Sequence, residues 1–153
     1  MTQAMTLTVR PLRPDDRAAW QVLHEGYHAF YDRPGLPQSF HDQAFQRLMS
    51  GNAQDFHGLV ADDGGRLLGL VHYVFHPHLW RPEGVCYLQD LFTAPVARGQ
   101  GVGRALIEAV YAAADAEGVP AVYWTTQEFN YAGRILYDKV GTRTPFIRYT
   151  RPL

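Results

Sequence analysis

The chain has 153 residues, 46% apolar and 19% charged, a balance ordinary for a soluble globular protein with one buried core. Its formal net charge of −1 excludes a broad electrostatic footprint for nucleic acid, leaving room only for a local basic patch. The single cysteine, Cys86, excludes an intramolecular disulfide framework and fits a reducing compartment.

The opening stretch "MTQAMTLTVRP" lacks the charged start and apolar centre of a secretory leader, and no apolar run is long enough to span a bilayer. A cytoplasmic protein with no membrane partner is expected. "LTVRPLRPDD" predicts a short first strand that ends at prolines, after which Asp15 or Asp16 caps a helix running to about Tyr31. "DRPGLPQS" reads as a loop, followed by a second helix over Phe40 to Met49. In "FHGLVADDGGRLLGLVHYVFH" two apolar runs flank Asp62, Asp63, Gly64 and Gly65, the chemistry of a hairpin turn. "HPHLWRPEG" is expected to be a loop that leaves the flanking histidines solvated.

"VCYLQDLFT" follows as a strand, in which Cys86 is a small buried hydrophobe. Val102, Ala105, Leu106, Ala109, Val110 and Ala113 recur at helical spacing, and Gly118 and Pro120 mark that helix's end. "AVYWTTQ", residues Ala121 to Gln127, is β-branched and aromatic and predicts a strand. "NYAGRILYDKVG" predicts a short helix capped by Asn130, and "PFIRYTR" a final strand. The order β-α-α-β-β-β-α-β-α-β describes one mixed α/β layer structure without repeats or linkers, hence one domain over residues 1–153.

The stretch "APVARGQGVGRALIEAV" carries the chemistry. Its glycines enter a helix start, where backbone N–H groups converge and an anion is favoured. A P-loop is excluded because Arg104 and Ala105, not Lys and Ser or Thr, follow Gly103. The dinucleotide fingerprint is excluded because Arg104 or Leu106 stands where its third glycine belongs. What remains is R-G-Q-G-V-G at Arg98 to Gly103.

That pattern resembles the Arg/Gln-x-x-Gly-x-Gly/Ala signature of the GCN5-related N-acetyltransferases (GNAT). The later segment "NYAGRILYDKVG" resembles the family's N-x-x-A/S-x-x-L-Y-x-x-x-G motif. "YLQDLFTAPVARGQGVG" is similar to the polyamine-acetyltransferase branch, and "VYWTTQEFNYAGRILYDKVG" with "FIRY" to the branch of yeast histone and D-amino-acid acetyltransferases. The resemblance covers about Leu67 to Tyr149. It implies a mostly antiparallel central sheet flanked by helices, acetyl-CoA as cosubstrate without a metal, and transfer to a primary amine in a ternary complex. It also implies a homodimer paired through the last strands.

On this resemblance the cofactor is held at Arg98, Gly99, Gln100, Gly101, Val102, Gly103 and Arg104, by the main chain of Leu91, Phe92 and Thr93, and near Asn130 and Tyr137. The strand Cys86–Thr93 is expected to bulge and part from Ala121–Gln127. A backbone N–H near Phe92 would polarise the thioester oxygen, and Tyr137 would protonate the leaving sulfur. A lysine-like amine has a pKa near ~10.4, so a proton must leave before attack. The polyamine branch carries Glu where this chain has Gln89, and glutamine accepts no proton. Asp90, Glu128, His72 or a water chain could serve instead. Tyr27, Tyr31, His72, Gln89 and Glu128 are expected around the acceptor, which is a small amine, an amino acid or a peptide.

Two rival readings accompany this one. "HEGYH", His24 to His28, matches the zinc motif H-E-x-x-H, with Glu25 as base and His72, His76 or His78 as further ligands of a hydrolase. The other rival is a non-catalytic acyl-CoA sensor on the same fold.

Overall fold

The computed structural model describes residues 6–153, so part of the stretch read for a leader lies outside the described residues. Strand β1 (Thr8–Pro11) is followed by helices α1 (Arg17–Phe30) and α2 (Gln38–Leu48). Strands β2 (His57–Asp62), β3 (Leu67–His78) and β4 (Arg81–Thr93) come next, then α3 (Val102–Ala116), β5 (Val122–Tyr123) and α4 (Tyr131–Val140). The sheet order is β1-β2-β3-β4-β5, antiparallel except for the parallel β4–β5 pair. This is the mixed α/β, mostly antiparallel architecture expected. No described helix is long and apolar enough to cross a membrane.

Side chains alternate across the sheet, so each face builds its own core. Val71, Tyr73, Cys86 and Leu88 pack with Leu106, Ile107 and Val110 of α3 on one face. Leu70 and Phe92 pack with Trp20, Leu23 and Phe45 of α1 and α2 on the other. Cys86 is fully buried, and burial pushes its thiol up to about 11, as suits a packing residue.

One irregularity in β4 governs the rest. His72 pairs with Asp90 and Tyr73 with Leu88, leaving Gln89 unpaired. Such a bulge reverses the alternation beyond it. Cys86 and Leu88 therefore face α3, whereas Asp90 and Phe92, an even number of residues further on, face α1.

Five expectations of local structure change. "HPHLWRPEG" is not a loop: β3 runs to His78 and β4 begins at Arg81, leaving only Leu79 and Trp80 to turn the hairpin. Pro77 is tolerated because the register shifts between His76 and His78, where its missing N–H is not needed. The strand over Ala121–Gln127 shrinks to Val122–Tyr123, since β4 veers away beyond that point. "PFIRYTR" forms no strand in the described chain; with so short an edge at β5, Phe146, Ile147 and Tyr149 stay exposed. Asp16 stands at the start of α1 but its side chain does not cap that helix; it takes two hydrogen bonds from Arg10 and one from the Arg13 N–H, closing the short turn Pro14–Asp16 instead. The second helix opens at Gln38, earlier than Phe40.

Two glycines are required by packing. A Cβ on Gly69 would lie 2.9 Å from the Phe92 carbonyl oxygen and from Val102, and one on Gly26 would lie 2.8 Å from the Phe92 ring. Gly69→Ala is expected to destabilise the protein by about 1–3 kcal/mol through overpacking. Chemical denaturation would check this, and an unchanged midpoint would refute the fit of α3 against β3.

Candidate active site

Beyond the Cys86–Val122 and Tyr87–Tyr123 pairs, β4 and β5 separate. Backbone direction fixes what faces the gap. The Ala94 N–H donates to Leu68 on β3, so Phe92, two residues earlier, also turns its N–H toward β3. Leu91 and Thr93 therefore turn theirs toward the gap. The free donor beside Phe92 belongs to Leu91. A narrow slot lined by Leu88, Gln89, Leu91, Trp124, Thr125, Tyr31 and Tyr137 occupies the opening. Burial pushes the Tyr137 hydroxyl up to about 12, so it is a proton-bearing donor at neutral pH.

The glycine loop lies at the start of α3. Gly99 and Gly101 have φ of 76° and 82°, and Gly101 is the residue immediately before the helix. That left-handed geometry turns successive N–H groups to one side, the arrangement that suits an anion. A Cβ at Gly103 would lie 3.1 Å from Leu136 of α4, so this glycine lets α4 approach. Arg98 sits over the Phe92 ring, whereas Arg104 is tied to Glu108 at 2.9 Å. Asn130 does cap α4: its Oδ1 accepts from the Gly133 N–H and its Nδ2 donates to Thr126.

On the α1 face lies a second cavity, about 330 Å³, whose lining includes His24, His28, Arg33, Phe40, His72, Gln89 and Asp90. Gln89 borders both openings. The Asp90 carboxylate lies 2.8 Å from His72 Nδ1, and the Tyr27 hydroxyl adds to what holds it ionised. The indole of Trp20 can only donate, and it does so to His72 Nε2 at 3.0 Å. The His72 proton therefore sits on Nδ1 and points at Asp90, leaving neither ring nitrogen free. Burial alone would raise the Asp90 carboxyl; the hydrogen bonds of His72 and Tyr27 outweigh it and hold the group below its usual range.

Deeper still, His24 Nδ1 meets His41 Nδ1 at 2.8 Å, and His28 Nε2 meets His24 Nε2 at 3.2 Å. Burial, reinforced by the neighbouring histidines, lowers His24 to about 3. The H-E-x-x-H constellation is not assembled, because Glu25 is exposed and accepts from Gln21 while His24 spends both nitrogens on histidines. His76 is bonded to Tyr123 and to its neighbour's carbonyl, and Glu128 is exposed in the turn before α4, lining neither opening.

The model of the acetyltransferase (GNAT) family matches residues 18–142. The chain belongs to the GNAT acetyltransferases. This GNAT chain is 36% identical to the D-amino-acid N-acetyltransferase HPA3 of Saccharomyces cerevisiae, over 95% of its own length and 90% of the relative's. It is 26% identical to the uncharacterized N-acetyltransferase YhfO of Bacillus subtilis, covering 94% and 95% of the two chains. Among solved structures, the aminoglycoside acetyltransferase AAC(6')-Iy with a bisubstrate analogue superposes with a TM-score of 0.83 at 18% identity, over 97% of this chain and 99% of that one. A ribosomal-protein-alanine N-acetyltransferase from Brucella melitensis gives 0.81 at 20% identity, over 97% and 100%. At those identities the two structures speak for the fold.

Of the residues that the sequence groups around the acceptor, Tyr27, Tyr31, His72 and Gln89 lie near Asp90 and the two openings, whereas Glu128 lies outside both. Sequence reasoning missed His24, His28 and His41 as one cluster. The available signal was the helical spacing of Trp20, His24, Tyr27, His28 and Tyr31, which places a polar aromatic stripe on one face of α1. The lowered His24 and His28 make stability depend on pH. Below the ordinary value of 6.5 the unfolded His24 binds a proton that the folded ring, held near 3, does not. Stability should therefore fall as pH drops from 6.5 toward 3, by up to about 1.4 kcal/mol per unit for each such ring. His28 is shifted the same way, and Asp90, with its lowered value, adds a loss below about 3.8. Melting curves at pH 7.5 and 5 would check it; the decline should be shallower in His24→Gln.

Proposed function

We propose that this chain transfers the acetyl group of acetyl-CoA to the primary amine of a small acceptor, by direct attack with both bound. One observation carries the reading: β4 leaves β5 and turns the Leu91 N–H toward the gap between them, where Leu91 and Tyr137 line the same slot. A regular sheet would have consumed that donor. The residues present suit the carrier. The N–H groups of Gly99 to Gly103 would take its diphosphate, aided by Arg98, and the slot would take its extended arm.

Within that arrangement the Leu91 N–H would stabilise the negative charge that grows on the thioester oxygen. Tyr137 would donate its hydroxyl proton to the departing sulfur and be reprotonated, through solvent, by the second proton that the attacking nitrogen sheds as the amide forms. Asp90, ionised and at the cavity wall, would hold the acceptor's ammonium, while Gln89 at the junction can orient the amine without taking its proton. The acceptor we favour is a free amino acid. Arg33 lines the same cavity with no carboxylate partner among the described residues, so it suits an acceptor that carries an anionic group as well as an amine. A polycation would bring charge against that guanidinium. The similarity to a D-amino-acid acetyltransferase supports the same choice.

The exposed Phe146, Ile147 and Tyr149, next to a sheet edge ended by β5, support a homodimer in which the tail of one copy covers the other. Light scattering should give twice the chain mass, falling to one mass when the tail is removed after Arg143.

An amine panel read by release of free thiol tests the activity, with amino acids expected ahead of polyamines. Tyr137→Phe should lower kcat by about a hundredfold with little change in CoA affinity; matched losses in both would count against its role as acid. Gly101→Val puts a branched side chain at φ 82° and should abolish CoA binding by calorimetry.

A further inference from the structure

The acetyl-transfer reading leaves one construction unused. Three of the seven histidines stand in a hydrogen-bonded file: His28 to His24 at 3.2 Å and His24 to His41 at 2.8 Å. All three rings are at most 8% exposed. A neutral imidazole has one donor and one acceptor, so the file has only two filled states, all donors pointing toward His41 or all pointing toward His28.

The two ends differ from the middle. Among the described residues the only sealed side-chain nitrogen or oxygen without a partner belongs to Arg17. The outer nitrogens, His28 Nδ1 and His41 Nε2, bond no protein atom and must therefore reach open space. For His28 that space is the Asp90 cavity, which it lines together with His24. His41, on α2, does not line that cavity. The file thus runs from the cavity, at His28, to the unpartnered Nε2 of His41 on the neighbouring helix.

We propose that His28, His24 and His41 are the proton exit of the acceptor site, replacing the carboxylate that Gln89 lacks. This rests on the acetyl-transfer reading. The acceptor ammonium gives a proton to His28 Nδ1 and becomes the free amine that attacks. The His28 Nε2 proton passes to His24 Nε2, the His24 Nδ1 proton to His41 Nδ1, and the His41 Nε2 proton to water. After the product leaves, the sequence runs in reverse: water returns a proton at His41, and His28 releases one to water in the emptied cavity. Each turnover therefore moves one proton from ammonium to solvent.

The surroundings fit a neutral file. Trp20 stacks on His24 at 4.4 Å, and Phe40 lies parallel to it at 5.8 Å and edge-on to His28, while His72, Asp90, Arg33 and Tyr27 are the titratable or charged groups around the file from β3, β4, the loop after α1 and α1 itself. Burial and Arg33 both keep His28 uncharged at neutral pH, so it is ready to accept.

The test compares two acceptors in full-length protein. An ordinary amino acid arrives protonated at neutral pH, whereas an alkoxyamine arrives neutral. His24→Phe keeps the stacking but breaks the file. It should lower kcat/KM for the amino acid by about a hundredfold, and for the alkoxyamine by less than about twofold. The gap should narrow as pH rises toward 10 and more amino acid arrives deprotonated. Should His24→Phe fail to fold by its melting curve, His41→Gly carries the same comparison, with added imidazole restoring the rate. Equal losses with both acceptors, or no loss, would overturn the relay. A wild-type protein that releases no thiol with any amine would instead overturn the acetyl-transfer reading beneath it.

Discussion

The unpaired Gln89 is the constraint on which the site depends. Without it, Asp90 would follow Cys86 and Leu88 onto the α3 face, a carboxylate forced into the apolar core. With it, Asp90 meets His72 directly across the strand pair on the α1 face. The same reversal turns the Leu91 N–H toward β5, where the strand that might have bonded it has already ended. A single extra residue thereby fixes the position of a side-chain anion and of a main-chain donor together. This coupling explains how a sheet, a repetitive structure, can hold two different chemistries within two residues.

Helix α1 completes what the bulge begins. Buried imidazoles are expensive unless each nitrogen has a partner. Here Trp20 satisfies His72, and the three remaining rings satisfy one another or reach open space. Gly26 lets the helix close onto the Phe92 ring, and any side chain there would lift the whole polar stripe off the sheet. A residue that is unfavourable for the helix by propensity is thus required by the packing.

The features legible in the sequence were local ones. The Asp62–Gly65 turn, the Asn130 cap and the glycines at 99 and 101 depend on neighbours a few residues away, and each formed as read. The bulge was expected only from family resemblance, because nothing in "YLQDLFT" itself marks Gln89 as unpaired. The histidine file joins positions 17 residues apart, and the His72–Trp20 bond positions 52 apart, so no window of periodicity reveals them. The lost final strand has the same origin. "FIRY" has strand propensity, but a strand needs a partner edge, and β5 ends at Tyr123.

The two ends of the site use different material, and this bears on selectivity. At the slot and the glycine loop the groups offered are backbone N–H donors, which substitutions of ordinary side chains leave in place. At the α1-face cavity the groups are side chains: Asp90, Arg33 and the imidazoles of His24, His28 and His72. Under the acetyl-transfer proposal, drift in the second set would change which acceptor fits without disturbing the first. Solved structures at 17–22% identity and TM-scores above 0.7 show that the fold itself tolerates wide sequence change. Gln89 marks the boundary, since its backbone belongs to the first set and its side chain to the second.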